Sequence, residues 1–224
     1  MNRFNIDNSR LEIYSDASLK TFSNQRTFGC AGAIATVGGQ IFGDPVLQVV
    51  PDSTNNESEA LSVYLAVKAA DAMINLYGNF QEIIIYSDSQ ITVFGLKNWM
   101  SGWINMMHDG VLYTSKGLEV RNQEIFKMIY DFLARRNIKI KLLHCKGHVN
   151  VLSQKSLQQA ADTFYQSNGF YLDKSEIIKI ANFNNTIDNI TRNRLETADP
   201  GYRDKNPLPN QRFIIPINWK DYIR

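Results

Sequence analysis

The sequence contains the same four residues twice, as Ile13-Tyr14-Ser15-Asp16 and as Ile85-Tyr86-Ser87-Asp88. Each copy ends a stretch that is expected to form a strand. If the two strands are parallel neighbours, a strand spacing of about 4.8 Å places both aspartates at the carboxyl edge of one sheet. A divalent cation is the simplest way to keep two such close carboxylates ionised. One aspartate alone would indicate only a turn after a strand, but the matched pair favours a functional site.

Glu59 is the next carboxylate that the pattern singles out. Apolar residues recur at helical spacing over residues 56–77, and Gly78 follows as a stop signal. Glu59 falls in line with Val63 and Ala66, on the face expected to pack against the sheet. A carboxylate on a buried face needs a metal or a basic partner. The alternative is a first-turn glutamate that only stabilises the helix dipole.

The remaining pattern predicts the order of the elements. Three strands come first, then helices alternate with two further strands. The expected strands are 11–17, 30–37, 41–50, 82–87 and 138–145, and the expected helices are 56–77, 89–99, 121–136 and 157–166. This order implies an α/β fold with a five-stranded mixed sheet, in which three antiparallel strands precede parallel β-α-β units and helices cover both faces.

The candidate ligands are carboxylates, and this decides the expected metal. The two cysteines, Cys30 and Cys145, are not part of a Cys/His cluster at zinc-ligand spacing. Oxygen ligands select a hard cation, so magnesium is expected, with manganese as a substitute. Two such ions about 4 Å apart can activate a water and stabilise the leaving oxygen during attack on a phosphodiester. The residues therefore favour phosphoryl hydrolysis.

Composition indicates the size of the core and the cellular setting, but it does not indicate the activity. A chain of 224 residues with 44% hydrophobic content is expected to build one principal core. A formal net charge of +2 does not by itself indicate a nucleic-acid partner. The first ten residues are polar and no apolar run approaches bilayer length, so a cytoplasmic monomer without membrane association is expected.

Seven short motifs, in order, resemble those of the type 1 ribonuclease H family over about residues 11–170. They are Tyr14-Ser15-Asp16, Thr54-Asn55-Asn56-Glu57-Ser58-Glu59, Tyr86-Ser87-Asp88-Ser89-Gln90, Gly95-Leu96-Lys97-Asn98-Trp99, Val120-Arg121-Asn122, Lys146-Gly147-His148 and Ala160-Ala161-Asp162. The resemblance implies a ribonuclease H-like fold. It also implies endonucleolytic hydrolysis of the RNA strand of RNA/DNA hybrids with two metal ions.

The same resemblance implies a role for each matching residue. The metal ligands would be Asp16, Glu59, Asp88 and Asp162, and His148 would assist proton transfer or product release. Residues that contact the hybrid would be Thr54 and Asn122 at a DNA phosphate, Asn24, Asn55, Asn56 and Gln90 at 2′-hydroxyls and base edges, and Trp99 and Trp103 along the DNA strand. A core role for the two tryptophans is an equal alternative. His108 and His144 are interpreted as ordinary surface imidazoles.

Two other functions stay open. The first is a nuclease or strand-transferase of the same superfamily that acts on DNA, and the Thr54–Glu59 motif and Asn122 argue against it. The second is a hybrid-binding module without turnover. A carboxylate at each expected position argues against that module, and the loss of any one would have favoured it.

Residues 1–170 are expected to form the ribonuclease H domain, and residues 171–224 an accessory extension that is not needed for chemistry. One weak helix is predicted at 175–190. The apolar groups of the extension are too few for a core of their own, so they are expected on the main domain or on a protein partner. Candidate phosphate contacts in the extension, with a solvated tail as the alternative, are Arg192, Arg194, Arg203, Lys205 and Arg212.

Overall fold

The computed structural model describes residues 9–198 and 222–224. The strands are β1 (Arg10–Thr21), β2 (Thr27–Val37), β3 (Gln40–Ile41), β4 (Val46–Pro51), β5 (Glu82–Ser87) and β6 (Lys141–His144). The helices are α1 (Asn55–Tyr77), α2 (Gln90–Phe94), α3 (Met100–Asn105), α4 (Gln123–Arg136), α5 (Gln154–Asn168) and α6 (Lys174–Glu196). A π-helical turn, Gly95–Trp99, joins α2 to α3.

The sheet has the strand order β3-β2-β1-β5-β6, and β4 also pairs with β2. β1 is antiparallel to β2 and parallel to β5, and β5 is parallel to β6. The expected mixed α/β sheet is confirmed. The strand expected at 41–50 is divided into β3 and β4, because Gly43 has a φ of 77° and Pro45 has no N–H to donate to a ladder.

Helices cover both faces of the sheet, as expected. Neighbouring residues of β1 point to opposite faces, so Ile13 belongs to the core beneath α1 and α4 while Tyr14 belongs to the core beneath α5 and α6. Among residues 9–198 and 222–224, no helix has both the length and the apolar character that a membrane span requires. The sheet thus lies between two cores, one beneath the helices on each face.

Helix α6 completes the second core, so the boundary expected at residue 170 does not coincide with a structural boundary. Ile180 and Ile187 of α6 are buried in the same cluster as Tyr14 and Ile34 of the sheet. The apolar residues of α6 are too few for a separate core, but they are enough to cover one face of an existing sheet. The expectations for Arg203, Lys205 and Arg212 lie outside the described residues.

Gly32 of β2 lets α6 approach the sheet closely. A Cβ at this position would lie 2.6 Å from Thr191 Cγ2 and 2.9 Å from Ile187 Cδ1, both on α6, and 2.8 Å from Leu47 Cδ2. These distances are shorter than side-chain carbon contacts allow, so any larger residue would displace the helix or its side chains. Gly32 is also the residue of β2 that pairs with Asp16.

The described end of the chain lies along the free edge of β6. Ile223 is buried and pairs with Ile140 in parallel orientation. The backbone N–H of Ile140 donates to Tyr222 O at 2.9 Å, and that of Leu142 donates to Arg224 O at 3.0 Å. This pairing satisfies backbone groups that an edge strand would otherwise leave open.

We predict that Gly32→Ala destabilises the protein by about 1–3 kcal/mol, because the new methyl group overlaps Thr191 and Ile187. The matched control is Gly102→Ala in α3, where a Cβ meets no atom within 4 Å and alanine favours the helix. Urea unfolding of both variants checks the prediction. Equal stability of Gly32→Ala and the unmodified protein would contradict the close seating of α6.

Candidate active site

The register of β1 and β5 brings the two predicted aspartates together. Ser15 pairs with Ser87, so Asp16 and Asp88 follow at the same level of the sheet. Asp16 is 6% exposed, and the N–H of Ala17 donates to its Oδ1 at 2.7 Å. Burial and the charge of Asp88 raise the pKa of Asp16 to about 9. Burial and the charge of Glu59 raise the pKa of Asp88.

Glu59 lies beside this pair, as its place on the helix predicted. It occupies the first turn of α1, which Thr54 caps through a capping box with Glu57. The side chain of Asn55 donates a hydrogen bond to Glu59 Oε1, and Ser89 Oγ donates to Glu59 Oε2 at 2.6 Å. Two hydrogen bonds from two elements therefore orient the carboxylate toward Asp88.

Asp162 does not join the other carboxylates, and this expectation is wrong. It is exposed on α5 and accepts a hydrogen bond from Gln158 Nε2 at 2.9 Å. The physical reason is the rotation of α5, which turns Leu157, Ala160 and Phe164 toward the sheet and leaves Asp162 on the outer side.

Asp188 of α6 takes the fourth position. It is 8% exposed, and its charge is among the causes that raise the pKa of Asp16. Its Oδ2 lies 3.4 Å from Nδ1 of His148. Asp188 was not expected at the site, although Asn184 and Asp188 interrupt the apolar stripe formed by Ile177, Ile180 and Ile187. A carboxylate on a buried apolar face is the same signal that indicates Glu59 on α1.

Asn184 is a further polar group that faces the carboxylates from α6. It is 1% exposed, and its Oδ1 accepts from Cys145 Sγ at 3.6 Å. Its buried Nδ2 has no acceptor within hydrogen-bond distance, yet the amide lowers the pKa of Asp88. An amide N–H directed at a carboxylate favours the ionised form of that carboxylate.

The donor set fits a hard divalent cation. Four carboxylates meet here, from Asp16, Glu59, Asp88 and Asp188, and carboxylate oxygens are the ligands that magnesium and manganese prefer. The raised pKa values of Asp16 and Asp88 show an excess of negative charge at this edge. Within the described part of the chain, no three His, Cys, Asp or Glu side chains lie close enough together to hold a metal ion. The donor types therefore fit the cation, whereas the spacing of their oxygens does not enclose one.

The loop after β6 passes directly over Asp88. A Cβ added at Gly147 would overlap the carboxylate of Asp88, so glycine is required there. His148, the next residue, has a φ of 52° and a side chain that is 72% exposed beside Asp188. The side chain of Asn185 on α6 donates to Val149 O at 2.8 Å and holds this loop.

An open cleft of about 480 Å³ adjoins the carboxylates. Ser18 and Asn55 line one part of it, and His148, Asp188 and Arg192 line another. Arg192 Nη2 donates to both oxygens of Asp188, at 3.0 and 2.7 Å. A polyanion that entered this cleft would therefore meet a histidine and an arginine beside the acidic group.

The family model for RNase H matches residues 8–167 of the chain, which include Asp16, Glu59, Asp88 and His148. The chain belongs to the RNase H family. The matched range ends before α6, so Asp188 lies beyond it.

Individual relatives agree with this family. The chain is 29% identical over 108 residues to Ribonuclease H1 of Mus musculus, which covers 48% of this chain and 34% of the mouse protein. It is 28% identical over 94 residues to Ribonuclease H of Janthinobacterium sp. (strain Marseille), covering 42% of this chain and 57% of that protein. The chain thus matches about a third of the mouse relative and somewhat more than half of the bacterial one.

A solved structure supports the fold. The foamy viral protease-reverse transcriptase in complex with RNA/DNA hybrid has a TM-score of 0.50 at 18% identity, over 70% of this chain and 19% of that chain. At this identity the similarity bears on the fold alone.

The residues that the RNase H motifs assign to hybrid binding lie in several settings. Thr54, Asn55, Asn56 and Gln90 are exposed around the beginnings of α1 and α2, near the carboxylates. Their positions at two helix N-termini leave these residues exposed to solvent, and Asn55 also lines the cleft. Asn55 has a second task, because it also orients Glu59.

The two tryptophans have different environments. Trp99 is 43% exposed, whereas Trp103 is 8% exposed and packs against Phe126 with ring centroids 5.3 Å apart. Trp103 also sits against Gly95, where a Cβ would lie 3.1 Å from its ring. Of the two roles expected for Trp103, the structure therefore favours the core role over a place along the DNA strand.

Asn24 lies in a turn between two strands, and Asn122 lies at the start of a helix in a left-handed backbone conformation. Asn24 lies in the hairpin turn between β1 and β2, where its Oδ1 accepts from the N–H of Arg26 at 3.1 Å. Asn122 has a φ of 54° at the start of α4, and its side chain does not cap the helix. The side chain of Arg26 donates to both oxygens of Asp52, at 3.3 and 3.0 Å, which offsets the charge of Asp52 near Thr54.

His144 is buried, so its interpretation as a surface imidazole is wrong. It is 6% exposed at the end of β6, beneath the end of α5. Burial lowers the pKa of its imidazole. The ring is therefore neutral at pH 7 and can donate from one nitrogen while it accepts at the other.

We predict that Asp16→Asn stabilises the metal-free protein at alkaline pH. The pKa of Asp16 is raised from 3.8 to about 9, so the folded state keeps a proton that the unfolded state releases between these values. Stability contributed by this proton is lost as the pH rises from about 4 to about 9. Asp16→Asn removes the free-energy cost of ionising this buried group in the folded state. Thermal unfolding in EDTA at about pH 8 should therefore show a Tm increase of about 2–4 °C for each 1 kcal/mol of that cost.

The matched control for this prediction is Asp162→Asn, which changes an exposed aspartate of α5. It should leave the Tm unchanged at both acidic and alkaline pH. A lower Tm for Asp16→Asn in EDTA would contradict the excess of negative charge at this site.

Proposed function

We propose that this member of the RNase H family hydrolyses the RNA strand of RNA/DNA hybrids in a divalent-metal-dependent reaction. The observation that carries the proposal is the meeting of Asp16 and Asp88 at one sheet edge with Glu59 and Asp188 beside them. The relatives are named Ribonuclease H1 and Ribonuclease H, and the foamy viral enzyme was solved with an RNA/DNA hybrid, which supports the same substrate here.

In this proposal, Asp16, Glu59, Asp88 and Asp188 hold two divalent cations, magnesium in the first place and manganese as a substitute. When bound, such cations supply an activated water and neutralise charge at the leaving oxygen. The protein contributes the alignment of the oxygens. Asn55 and Ser89 orient Glu59, Ala17 N–H holds one oxygen of Asp16, and Gly147 leaves space for Asp88.

His148 is the residue proposed to move a proton. Its imidazole is exposed at the cleft, and its Nδ1 lies 3.4 Å from Oδ2 of Asp188. A protonated imidazole beside the carboxylates can deliver a proton to a departing oxygen. Asp188 then holds His148 at the cleft in the orientation that the transfer requires.

Selection of a hybrid is assigned to the polar groups around the helix starts. Amides both donate and accept, so Asn55, Asn56 and Gln90 suit 2′-hydroxyls of an RNA strand. Thr54 and Asn122 supply a hydroxyl and an amide for a DNA-strand phosphate. Action as a monomer is part of this proposal.

The substrate test is a cleavage assay with labelled RNA/DNA hybrid, double-stranded DNA and double-stranded RNA, each with magnesium, manganese or EDTA. We predict metal-dependent cutting of the RNA strand of the hybrid and of no other strand, because the amide cluster needs 2′-hydroxyls on one strand only. Equal cutting of double-stranded DNA would favour a DNA nuclease of the same superfamily. Hybrid binding without cutting would favour a binding module.

The position of the fourth carboxylate gives a sharper prediction. Asp188→Asn should lower kcat by about 100-fold or more while hybrid binding and Tm stay near normal, because a charge that stabilises the transition state is lost. Asp162→Asn is the matched control on α5 and should retain normal turnover. The reverse outcome, loss of kcat in Asp162→Asn alone, would return the fourth ligand to α5.

A further inference from the structure

His144 forms a buried link between Asp88 and α5. Its Nε2 lies 3.2 Å from the backbone oxygen of Asp88, and its Nδ1 lies 2.8 Å from Ser167 Oγ on the last turn of α5. The imidazole thus connects the peptide that carries a proposed metal ligand to a helix on the other side of β6.

The backbone of His144 is held from the same helix turn. The N–H of His144 donates to Asn168 Oδ1 at 3.2 Å, and Asn168 Nδ2 donates to His144 O at 2.8 Å. Asn168 Nδ2 also donates to Phe164 O at 3.0 Å within α5. The end of α5 therefore fixes both the main chain and the ring of His144, which leaves little freedom for the ring to rotate.

The direction of these hydrogen bonds follows from the chemistry of the groups. The carbonyl oxygen of Asp88 can only accept, so Nε2 of His144 carries the hydrogen. In the neutral ring, Nδ1 is then an acceptor, and the hydroxyl of Ser167 donates to it. The carbonyl of Asp88 thereby selects the tautomer, and Ser167 supplies the hydrogen bond that this tautomer needs at Nδ1. Loss of the Ser167 hydroxyl removes one of the two contacts that fix the orientation of the ring.

The same segment contacts Asp88 a second time. Gly147, three residues after His144, packs so closely on the Asp88 carboxylate that a Cβ would overlap it. The segment from His144 to Gly147 therefore touches both the backbone oxygen and the side chain of Asp88. Because both contacts with Asp88 come from this one short segment, a shift of His144 would also shift Gly147. The carboxylate of Asp88 would then move relative to Asp16.

We propose that His144 and Ser167 are positioning residues for Asp88, through which α5 sets the orientation of this carboxylate. The inference rests on the proposed function for its catalytic consequence. Its geometric basis is independent of that function, because it consists of the buried hydrogen bonds from α5 through the imidazole to Asp88. Groups that orient metal ligands in this way commonly change metal affinity or activity by about 10–100-fold when they are removed.

The experiment compares Ser167→Ala, Ser167→Thr and a control in the full chain. The control is Thr186→Val, which removes a helix hydroxyl that donates to Asn182 O at 2.8 Å within α6. Ser167→Ala should lower kcat on the hybrid about 10-fold and weaken magnesium binding, measured by calorimetry without substrate, by a similar factor. The KM for the hybrid should change less than about twofold. Ser167→Thr should restore both quantities, and Thr186→Val should alter neither.

A second measurement uses the unmodified protein and does not depend on the folding of any variant. Long-range proton–nitrogen NMR of the imidazoles should show His144 as the neutral Nε2–H tautomer. The opposite tautomer would overturn the proposal. It would also be overturned if Ser167→Ala lowered the Tm yet kept kcat and magnesium affinity at a temperature well below unfolding. Absence of hybrid cutting by the unmodified protein would instead refute the proposed function, while the calorimetry still tests the positioning role.

Discussion

The parallel hydrogen-bond ladder between β1 and β5 is the interaction on which the site depends. It aligns Tyr14 with Tyr86, whose rings stack with centroids 5.0 Å apart, and it carries Asp16 and Asp88 to one edge. Burial makes the repulsion between these carboxylates costly, as the raised pKa of Asp16 indicates. The ladder and the aromatic stack hold together two groups that would otherwise separate. The repulsion between Asp16 and Asp88 therefore lowers the stability of this part of the fold.

Helix α6 depends on the same part of the sheet. Gly32 permits the close approach of Ile187 and Thr191, and it is the cross-strand neighbour of Asp16. The helix therefore reaches its closest approach to the sheet beside the first aspartate, and Asp188 follows directly after Ile187. The packing that places α6 on the sheet therefore also places Asp188 beside Asp16. Helix α6 consequently belongs to the core, and under the proposed function Asp188 makes it part of the site as well.

The sequence predicted those features that depend on local pattern. The repeated tetrapeptide predicted the parallel strands and their aspartates, and helical spacing predicted Glu59. Asn184 and Asp188 mark the buried face of α6, but this signal alone does not decide between the aspartates of α5 and α6, because periodicity does not show which helix lies on Gly32. That choice is made by contacts between residues far apart in the chain. The burial of His144 was missed for the same reason, since α5 covers it only in the folded protein.

The cations near the carboxylates do not remove the excess charge. Arg192 pairs with Asp188 one helical turn away, but its side chain is 56% exposed, and exposed pairs of this spacing contribute about 0.3–0.5 kcal/mol. His148 is more exposed still. Arg192 and His148 both lie toward the cleft. The repulsion between carboxylates is strongest at buried Asp16, which keeps its proton when no divalent cation is bound. The divalent cation proposed for this site would have to displace this proton, so its affinity would increase with pH until Asp16 is ionised without the metal. The burial that gathers the carboxylates would therefore also couple the proposed metal binding to proton release.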